Sequence, residues 1–144
     1  MALAAAQVID AVAARISGAT ACGTNVFTSR AWPIGEEILP AARITGDKEE
    51  ITGEGLGDRL GQHLLDINAA FYARAVADLD DALHALAVAA LPAIFAAPVP
   101  YGLTLQGIDR EMAKEGEAAV GVITLRLQAL FFTVPSAPET ILSS

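Results

Sequence analysis

The two histidines and the single cysteine of this chain are the residues best suited to catalysis or to binding a transition metal. His63 falls on a predicted strand and His84 on a predicted helix, and their spacing is not that of a metal-ligand pair. Cys22 lies among small residues without an adjacent histidine or basic residue that would activate its thiol. A single cysteine also excludes an internal disulfide and a thiolate zinc centre. We therefore expect structural or surface histidines and an inert thiol, and no catalytic, cofactor-binding or metal-binding residues.

Two further patterns have both a chemical and a structural interpretation. Four glycines are spaced closely enough to suggest a phosphate-binding loop, but no Lys-Ser or Lys-Thr pair follows them, and Glu54 would place a carboxylate beside the anion. These glycines, at positions 53, 55, 57 and 61, are typical of a hairpin tip.

Three aspartates, at positions 78, 80 and 81, could ligate Mg²⁺, but carboxylates at the start of a helix are explained by capping and by the helix dipole. We favour capping, with Asp78 as the N-cap.

Charge and composition limit the class of protein. The chain has 144 residues and a mass of 14.9 kDa, enough for one domain. Nine basic residues against 17 acidic ones give a net charge of −8, which argues against a protein that grips nucleic acid or an anionic membrane. One stretch, 82–107, lacks charged side chains over a length that could span a bilayer, but three prolines and a glycine interrupt it. We read it as a buried helix, a turn and a strand.

An acidic hairpin tip is the best candidate for contact with a partner. It comprises Asp47, Lys48, Glu49, Glu50 and Glu54. A charged tip of this kind is usually only solvated, but loops displayed by a rigid sheet are also a common place for partners to dock. We take these five residues as a docking hypothesis.

The elements that would position these residues follow from hydrophobic periodicity. Apolar residues on one face predict a helix over 3–16, which ends at Gly18, and a second helix begins after Asp78 and ends or kinks at Pro92. Strands are predicted over 24–27, 41–45, 59–74, 103–112 and 118–133, with a loop over 32–40 and a long hairpin connection over 46–58. We expect one α+β domain over 1–134, with a mostly antiparallel sheet of four to five strands and both helices on one face. Residues 135–144 form a Pro/Ser tail, which we expect to be mobile without a partner.

Two stretches of the sequence resemble a known family. The first comprises Asn-Val-Phe-Thr-Ser-Arg at 25–30, Ile-Leu-Pro-Ala-Ala-Arg-Ile at 38–44, and the polar tip with the strand over 59–73. The second comprises Gly-Ile-Asp-Arg-Glu at 107–111, a charged turn, and Val-Gly-Val-Ile-Thr-Leu-Arg-Leu at 120–127. Their order around a helix that opens with Asp-Leu-Asp-Asp at 78–81 is similar to that of the tail terminators, minor tail proteins of lambda-type long-tailed bacteriophages. The resemblance covers residues 3–133 and rests on the order of elements.

This resemblance implies a structural virion protein and not an enzyme. Such proteins form a homohexameric ring that caps the tail tube, ends tube polymerisation and offers a docking surface to the head completion or stopper protein. DNA passes through the lumen without specific binding, and assembly takes place in the host cytoplasm before the protein is part of the virion. No cofactor is implied, and whether Mg²⁺ assists ring closure is left open.

Two alternatives remain at this stage. Other neck, head-tail connector or tail completion proteins share a similar layout and make different rings. A small ligand-binding domain or enzyme would use His63, Asp66 and Tyr72 on the long strand. Only Asp66 and Tyr72 have the same parity there, so His63 points to the other face of the sheet, which counts against the trio.

Overall fold

Seven elements build the fold, in a computed structural model that describes residues 3–28, 39–52, 61–75, 79–96, 101–115, 118–134, 136–137 and 140–142. The helices are α1 (Ala4–Ile16) and α2 (Leu79–Ile94). The strands are β1 (Val26–Phe27), β2 (Ala41–Thr52), β3 (Gly61–Ala75), β4 (Gly102–Glu115) and β5 (Ala118–Thr133). They form one sheet in the order β1-β2-β3-β5-β4, in which β1 is parallel to β2 and every other neighbouring pair is antiparallel. The prediction of an α+β fold with a mostly antiparallel sheet is confirmed.

The central strands β3 and β5 have one buried face each, as their alternating sequence predicts. On β3 the buried positions are the odd-numbered ones from Leu65 to Ala73, and on β5 they are the odd-numbered ones from Gly121 to Thr133. The antiparallel register brings these two rows together, because Ile67 pairs with Leu127 and Phe71 pairs with Ile123. Burial of these apolar side chains is the main force that holds the two strands in this register.

Both helices contact the sheet at a glycine. A Cβ atom at Gly46 of β2 would lie 2.9 Å from Cδ1 of Ile9 on α1. A Cβ atom at Gly121 of β5 would lie 3.0 Å from Leu79 and 3.0 Å from Leu83, both on α2. Gly46 pairs with Ile67 of β3 and Gly121 pairs with Ala73, so each contact is made on the face that carries the odd-numbered residues of β3. The absence of side chains at the two glycines lets the helices approach the sheet closely.

Helix α1 begins and ends where its sequence predicts. Val8, Val12 and Ile16 recur every four residues and are fully buried, and Ile9 packs beside them. Gly18 then adopts a φ of +79°, a left-handed conformation that glycine takes without strain and that ends the helix. Arg15 in the last turn reaches the second helix, where its Nη1 donates a hydrogen bond of 2.8 Å to the carbonyl oxygen of Ile94.

Helix α2 differs from its prediction at one end. Its inward stripe is buried as expected, at Leu79, Leu83, Leu86, Ala87 and Ala90. Pro92 was expected to end or kink the helix; it does not end it, because the helix continues to Ile94. Pro92 is exposed, so the carbonyl that loses its amide partner one turn earlier is on the solvent side and water can satisfy it. The predicted N-cap, Asp78, lies outside the described residues.

Two other boundaries differ from the sequence prediction. Strand β2 continues through Thr52, well beyond the expected end at residue 45, because β3 supplies backbone partners along that whole length. In the tail, the Leu142 amide donates to the Phe132 carbonyl oxygen at 2.9 Å, and Ile141 packs against the core. The described part of the tail is therefore attached to β5, although we expected it to need a partner. The predicted loop over 32–40 lies outside the described residues up to 38.

The stretch over 82–107 divides as its prolines predict, with α2 on one side and β4 on the other. Neither helix in the described part of the chain has both the length and the apolar character that a membrane crossing requires.

Candidate partner-docking site

The predicted docking residues lie on a strand and not in a loop. Asp47, Lys48, Glu49 and Glu50 are exposed positions of β2, and they are followed by Ile51 and Thr52 at its end. We call residues 47–52 the acidic arm. Glu54, the fifth docking residue of the hypothesis, is outside the described residues. A strand holds charged side chains at fixed positions, so the acidic arm is a more rigid surface than a hairpin loop would be.

A β-bulge determines which way each side chain of the acidic arm points. The register of β2 against β3 shifts between Gly46 and Glu49, so that two residues of β2 lie opposite Asp66 alone. Beyond the bulge, Glu49 pairs with Leu65 and Ile51 pairs with His63, which places both on the helix side of the sheet. Without the extra residue, Glu49 would point to the other face.

Glu49 is the first member of a hydrogen-bonded chain across three strands. Its Oε2 lies 2.7 Å from Nδ1 of His63, and Nε2 of His63 lies 2.7 Å from Oγ1 of Thr133 on β5. A carboxylate can only accept, so Nδ1 carries the proton and donates to Glu49, and in the neutral ring Nε2 accepts from the threonine hydroxyl. The imidazole also stacks on Phe131, with the ring centroids 4.8 Å apart. We call Glu49, His63 and Thr133 the clasp.

The clasp has the order of residues found in hydrolase triads, with an acid, a base and a hydroxyl. A nucleophile must meet its substrate, however, and Thr133 is only 4% exposed. The environment therefore favours a structural role, in which the clasp ties the acidic arm to the core strands. The alternation of β3 places His63 on this face, but the clasp is not visible in the sequence, because Glu49 reaches His63 only through the bulge.

An exposed ion pair completes the electrostatics of the acidic arm. Nζ of Lys48 lies 2.9 Å from Oε1 of Glu50, and both side chains are more than half exposed. The hydrogen bond and the charge of Lys48 lower the pKa of the Glu50 carboxyl, and Glu50 raises the pKa of Lys48 in return. Because solvent screens this pair, we assign it a local ordering role only.

The residues of the ligand-binding alternative are not brought together. Asp66 and Tyr72 lie on the face opposite the helices, and His63 lies on the helix side. Asp66 accepts a hydrogen bond of 3.3 Å from Nε2 of Gln128. Tyr72 lines a separate polar cleft of about 390 Å³, whose other lining residues include Arg43, Asn68 and Thr124.

The remaining chemical candidates are accounted for by local contacts. His84 is exposed on α2, where its Nε2 accepts a hydrogen bond of 3.1 Å from Nε of Arg110. Burial raises the pKa of the Cys22 thiol, although a hydrogen bond to Thr20 acts in the opposite direction, and the thiol is only 2% exposed. Among the residues that the structure describes, no group of three His, Cys, Asp or Glu side chains is placed to hold a metal ion.

A small apolar cavity opens at the other end of the sheet from the acidic arm. It has a volume of about 230 Å³ and lies where β3 ends beside the first turns of α2. We call it the alcove, and it is lined by Ala21, Pro40, Ala73, Arg74, Ala82, Ala85 and Leu86. Every lining side chain except that of Arg74 is apolar, so the alcove suits an apolar group.

Comparison with known proteins gives no further assignment: no protein-family model matches the chain, and no curated protein matches it. Any assignment of function therefore depends on the geometry of the acidic arm, the clasp and the alcove, together with the order of elements along the chain.

Proposed function

We propose that this chain is a structural subunit of a bacteriophage tail, which closes with copies of itself into a hexameric ring, caps the tail tube and ends its polymerisation. The observation that carries this proposal is the presence of two unlike surfaces at opposite ends of one sheet. The acidic arm is at one end and the alcove is at the other. A ring built head to tail requires two different, complementary surfaces on every subunit.

In this proposal the acidic arm, besides its part in the ring, also contacts another component of the tail. Its partner is the tail tube protein on one face of the ring or the head completion protein on the other. The clasp and the Lys48–Glu50 ion pair support this role, because they hold the charges of the arm in fixed positions. Fixed charges give specificity at lower entropic cost than charges on a mobile loop.

The net charge of −8 fits a channel for DNA. Negative walls make no attractive phosphate contacts, so DNA traverses such a lumen without binding to it. The protein would then act in the virion, at the junction of head and tail, after assembly in the host cytoplasm.

Light scattering across a range of concentrations tests the proposal directly. We expect a mass near six subunits at high concentration, and negative-stain images that show an annulus with an open bore. The same measurement with and without Mg²⁺ decides whether a cation assists closure. A mass of one subunit at every concentration, with and without Mg²⁺, would refute the proposed function.

Charge reversal tests the assignment of the acidic arm separately. The double variant Glu49→Lys/Glu50→Lys reverses two charges of a surface used in the ring and breaks the clasp, so it should weaken ring assembly and, with it, the joining of tails to heads in an assembly assay. A matched control is Asp109→Lys/Glu111→Lys on β4. It reverses two exposed carboxylates on a strand, one of which, Asp109, also has a partner, Arg126, at 2.8 Å. If both variants join tails to heads equally well, the acidic arm is not a docking surface.

The polar cleft beside Tyr72 supports a second candidate function, the binding of a small polar ligand. Its lining residues offer a guanidinium, an amide, hydroxyl groups and the carboxylate of Asp47 on one open face of the sheet, which suit a ligand with both hydrogen-bond donors and acceptors. In the light-scattering experiment, a monomer at every concentration would favour this candidate, and a ring with an open bore would favour the tail subunit.

A further inference from the structure

Ile51 is an exposed apolar side chain at the end of the acidic arm. It is 63% exposed and is flanked by Glu50 and Thr52, which are also exposed. Its register partner, His63, places it on the helix side of the sheet, where no described helix covers it. A large aliphatic side chain at the tip of a strand made rigid by the clasp is well placed to enter a cavity on another molecule.

The alcove has the size and lining that such a side chain requires. An apolar cavity of about 150 Å³ admits a molecule as large as benzene, and the alcove measures about 230 Å³. Leu86 and Ala73 at its base are buried, and Ala85 at its mouth is exposed. Desolvation of an isoleucine against these surfaces should strengthen association by roughly ten- to a hundredfold.

A single copy cannot fill its own alcove with its own Ile51. Ile51 pairs with His63, whereas the alcove is lined by Ala73 and Arg74, ten and eleven residues further along the same strand. At about 3.3 Å per residue, the two sites are roughly 33 Å apart. Contact between them must therefore join two copies.

Charges around the two sites are compatible with this contact. The acidic arm carries Lys48 and Glu50 next to Ile51, one of each sign and both exposed. Arg74 lies in the lining of the alcove, and Asp81 is exposed one helical turn before Ala85. Two arms meeting each other would bring net negative surfaces together, because residues 47–50 carry three carboxylates and one lysine, whereas the alcove has an arginine, Arg74, in its lining.

We infer that copies of this chain join head to tail by seating Ile51 of one copy in the alcove of the next. This inference rests on the proposed ring, and it names the contact that builds it. Because the two halves of the contact are different surfaces, every copy offers one of each, and the contacts form a closed ring when the rotation between neighbouring copies divides a full turn.

Two single variants and their mixture test the contact. Ile51→Asp removes the apolar group but leaves the alcove, and Ala85→Trp fills the alcove but leaves Ile51. Both positions are exposed, so both variants should fold, and far-ultraviolet circular dichroism verifies this. Each variant alone should need at least tenfold higher concentration to associate. An equimolar mixture should form one-to-one dimers and nothing larger, because only one productive contact remains.

Val88→Asp is the matched control, since Val88 is 70% exposed on the same helix and does not line the alcove. It should assemble like the unmodified chain. If the unmodified chain forms rings and Ile51→Asp or Ala85→Trp also does, the inference is wrong and the proposed function stands. Failure of the mixture to form dimers, with the parent forming rings, likewise overturns the inference. If the unmodified chain is a monomer at every concentration, the inference and the proposed function fail together.

Discussion

Gly121 offers the sharpest test of how α2 packs on the sheet. A Cβ atom at this position would lie 3.0 Å from a methyl group of Leu79, 3.0 Å from one of Leu83, and 3.4 Å from the Glu111 carbonyl oxygen. Leu83 is fully buried and Leu79 is 7% exposed, so neither side chain can turn into solvent. Gly121→Ala must therefore displace the helix or distort both leucines.

The expected loss follows from two opposing effects. Overpacking a filled core costs about 1 to 3 kcal/mol. Replacing glycine by alanine restricts the unfolded chain, which returns about 0.4 to 1 kcal/mol. We expect Gly121→Ala to lower the free energy of unfolding by about 1 to 2 kcal/mol. For a chain of this length, that loss lowers Tm by roughly 2 to 8 °C.

Gly107 supplies an informative comparison. A Cβ atom there would overlap the guanidinium of Arg126, more closely than any atom approaches at Gly121. Arg126 is about half exposed, however, and its guanidinium can swing into solvent at the cost of its ion pair with Asp109. Such exposed pairs contribute about 0 to 1 kcal/mol, so Gly107→Ala should be the milder variant. Gly102→Ala is the neutral control, because its Cβ would be 3.7 Å from the nearest atom.

Urea unfolding followed by circular dichroism measures all three variants under the same conditions. The order of stability should be Gly102→Ala, then Gly107→Ala, then Gly121→Ala. A larger loss for Gly107→Ala than for Gly121→Ala would refute the reasoning that the mobility of the neighbouring group, and not the distance alone, decides the cost.

Three further variants test the core, the clasp and the thiol. Thr133→Val leaves Nε2 of His63 without its hydroxyl partner, so the free energy of unfolding should fall by about 1 to 3 kcal/mol. The exposed Thr104→Val should change it by less than about 0.5 kcal/mol, and equal losses would contradict the clasp. Ile67→Ala opens a cavity at a fully buried position and should cost about 2 to 5 kcal/mol in urea unfolding, so a loss below that range would mean that the core collapses around the site. Burial raises the pKa of the Cys22 thiol in the folded state above its ordinary value of 9.0. The neutral thiol therefore contributes its full stabilisation below pH 9.0, and this stabilisation is lost as pH rises through the folded-state pKa. Cys22→Ala should therefore lose less stability than the parent between pH 8 and pH 10, and an identical loss would contradict this assignment.

The sequence predicts the central part of the fold better than its margins. The alternation of apolar and polar residues identifies the buried faces of β3 and β5. Because the helices pack on one face only, the apolar residues of each strand must be the ones that point inward. The sequence predicts the buried apolar stripe of α2 equally well. Continuation of α2 past Pro92 is not predictable from local rules, because it depends on whether the orphaned carbonyl faces water.

The candidate site was predictable in its residues but not in its geometry. The charges over 47–50 mark an exposed surface, and the structure places all four residues there. Their orientation depends on the bulge after Gly46, which arises from pairing with β3 and leaves no mark in the pattern of β2 alone. The clasp is not predictable from the sequence for the same reason. The alcove combines residues from four separate parts of the chain, so no local pattern could have indicated it.

The irregular register of β2 and β4 has a consequence for solubility. β4 is the outermost strand on one side of the sheet, and β2 has only the two-residue β1 beside it on the other. Each carries a bulge, between Gly46 and Glu49 and between Leu105 and Gly107, which interrupts the even row of amide and carbonyl groups. An extended peptide could not form an unbroken set of backbone hydrogen bonds along either edge strand. The bulges therefore oppose fibril formation, although both edge strands are long. Copies of the chain can then associate only through side-chain contacts. Such contacts can specify a closed particle, whereas backbone pairing between sheet edges would give a fibril of unlimited length.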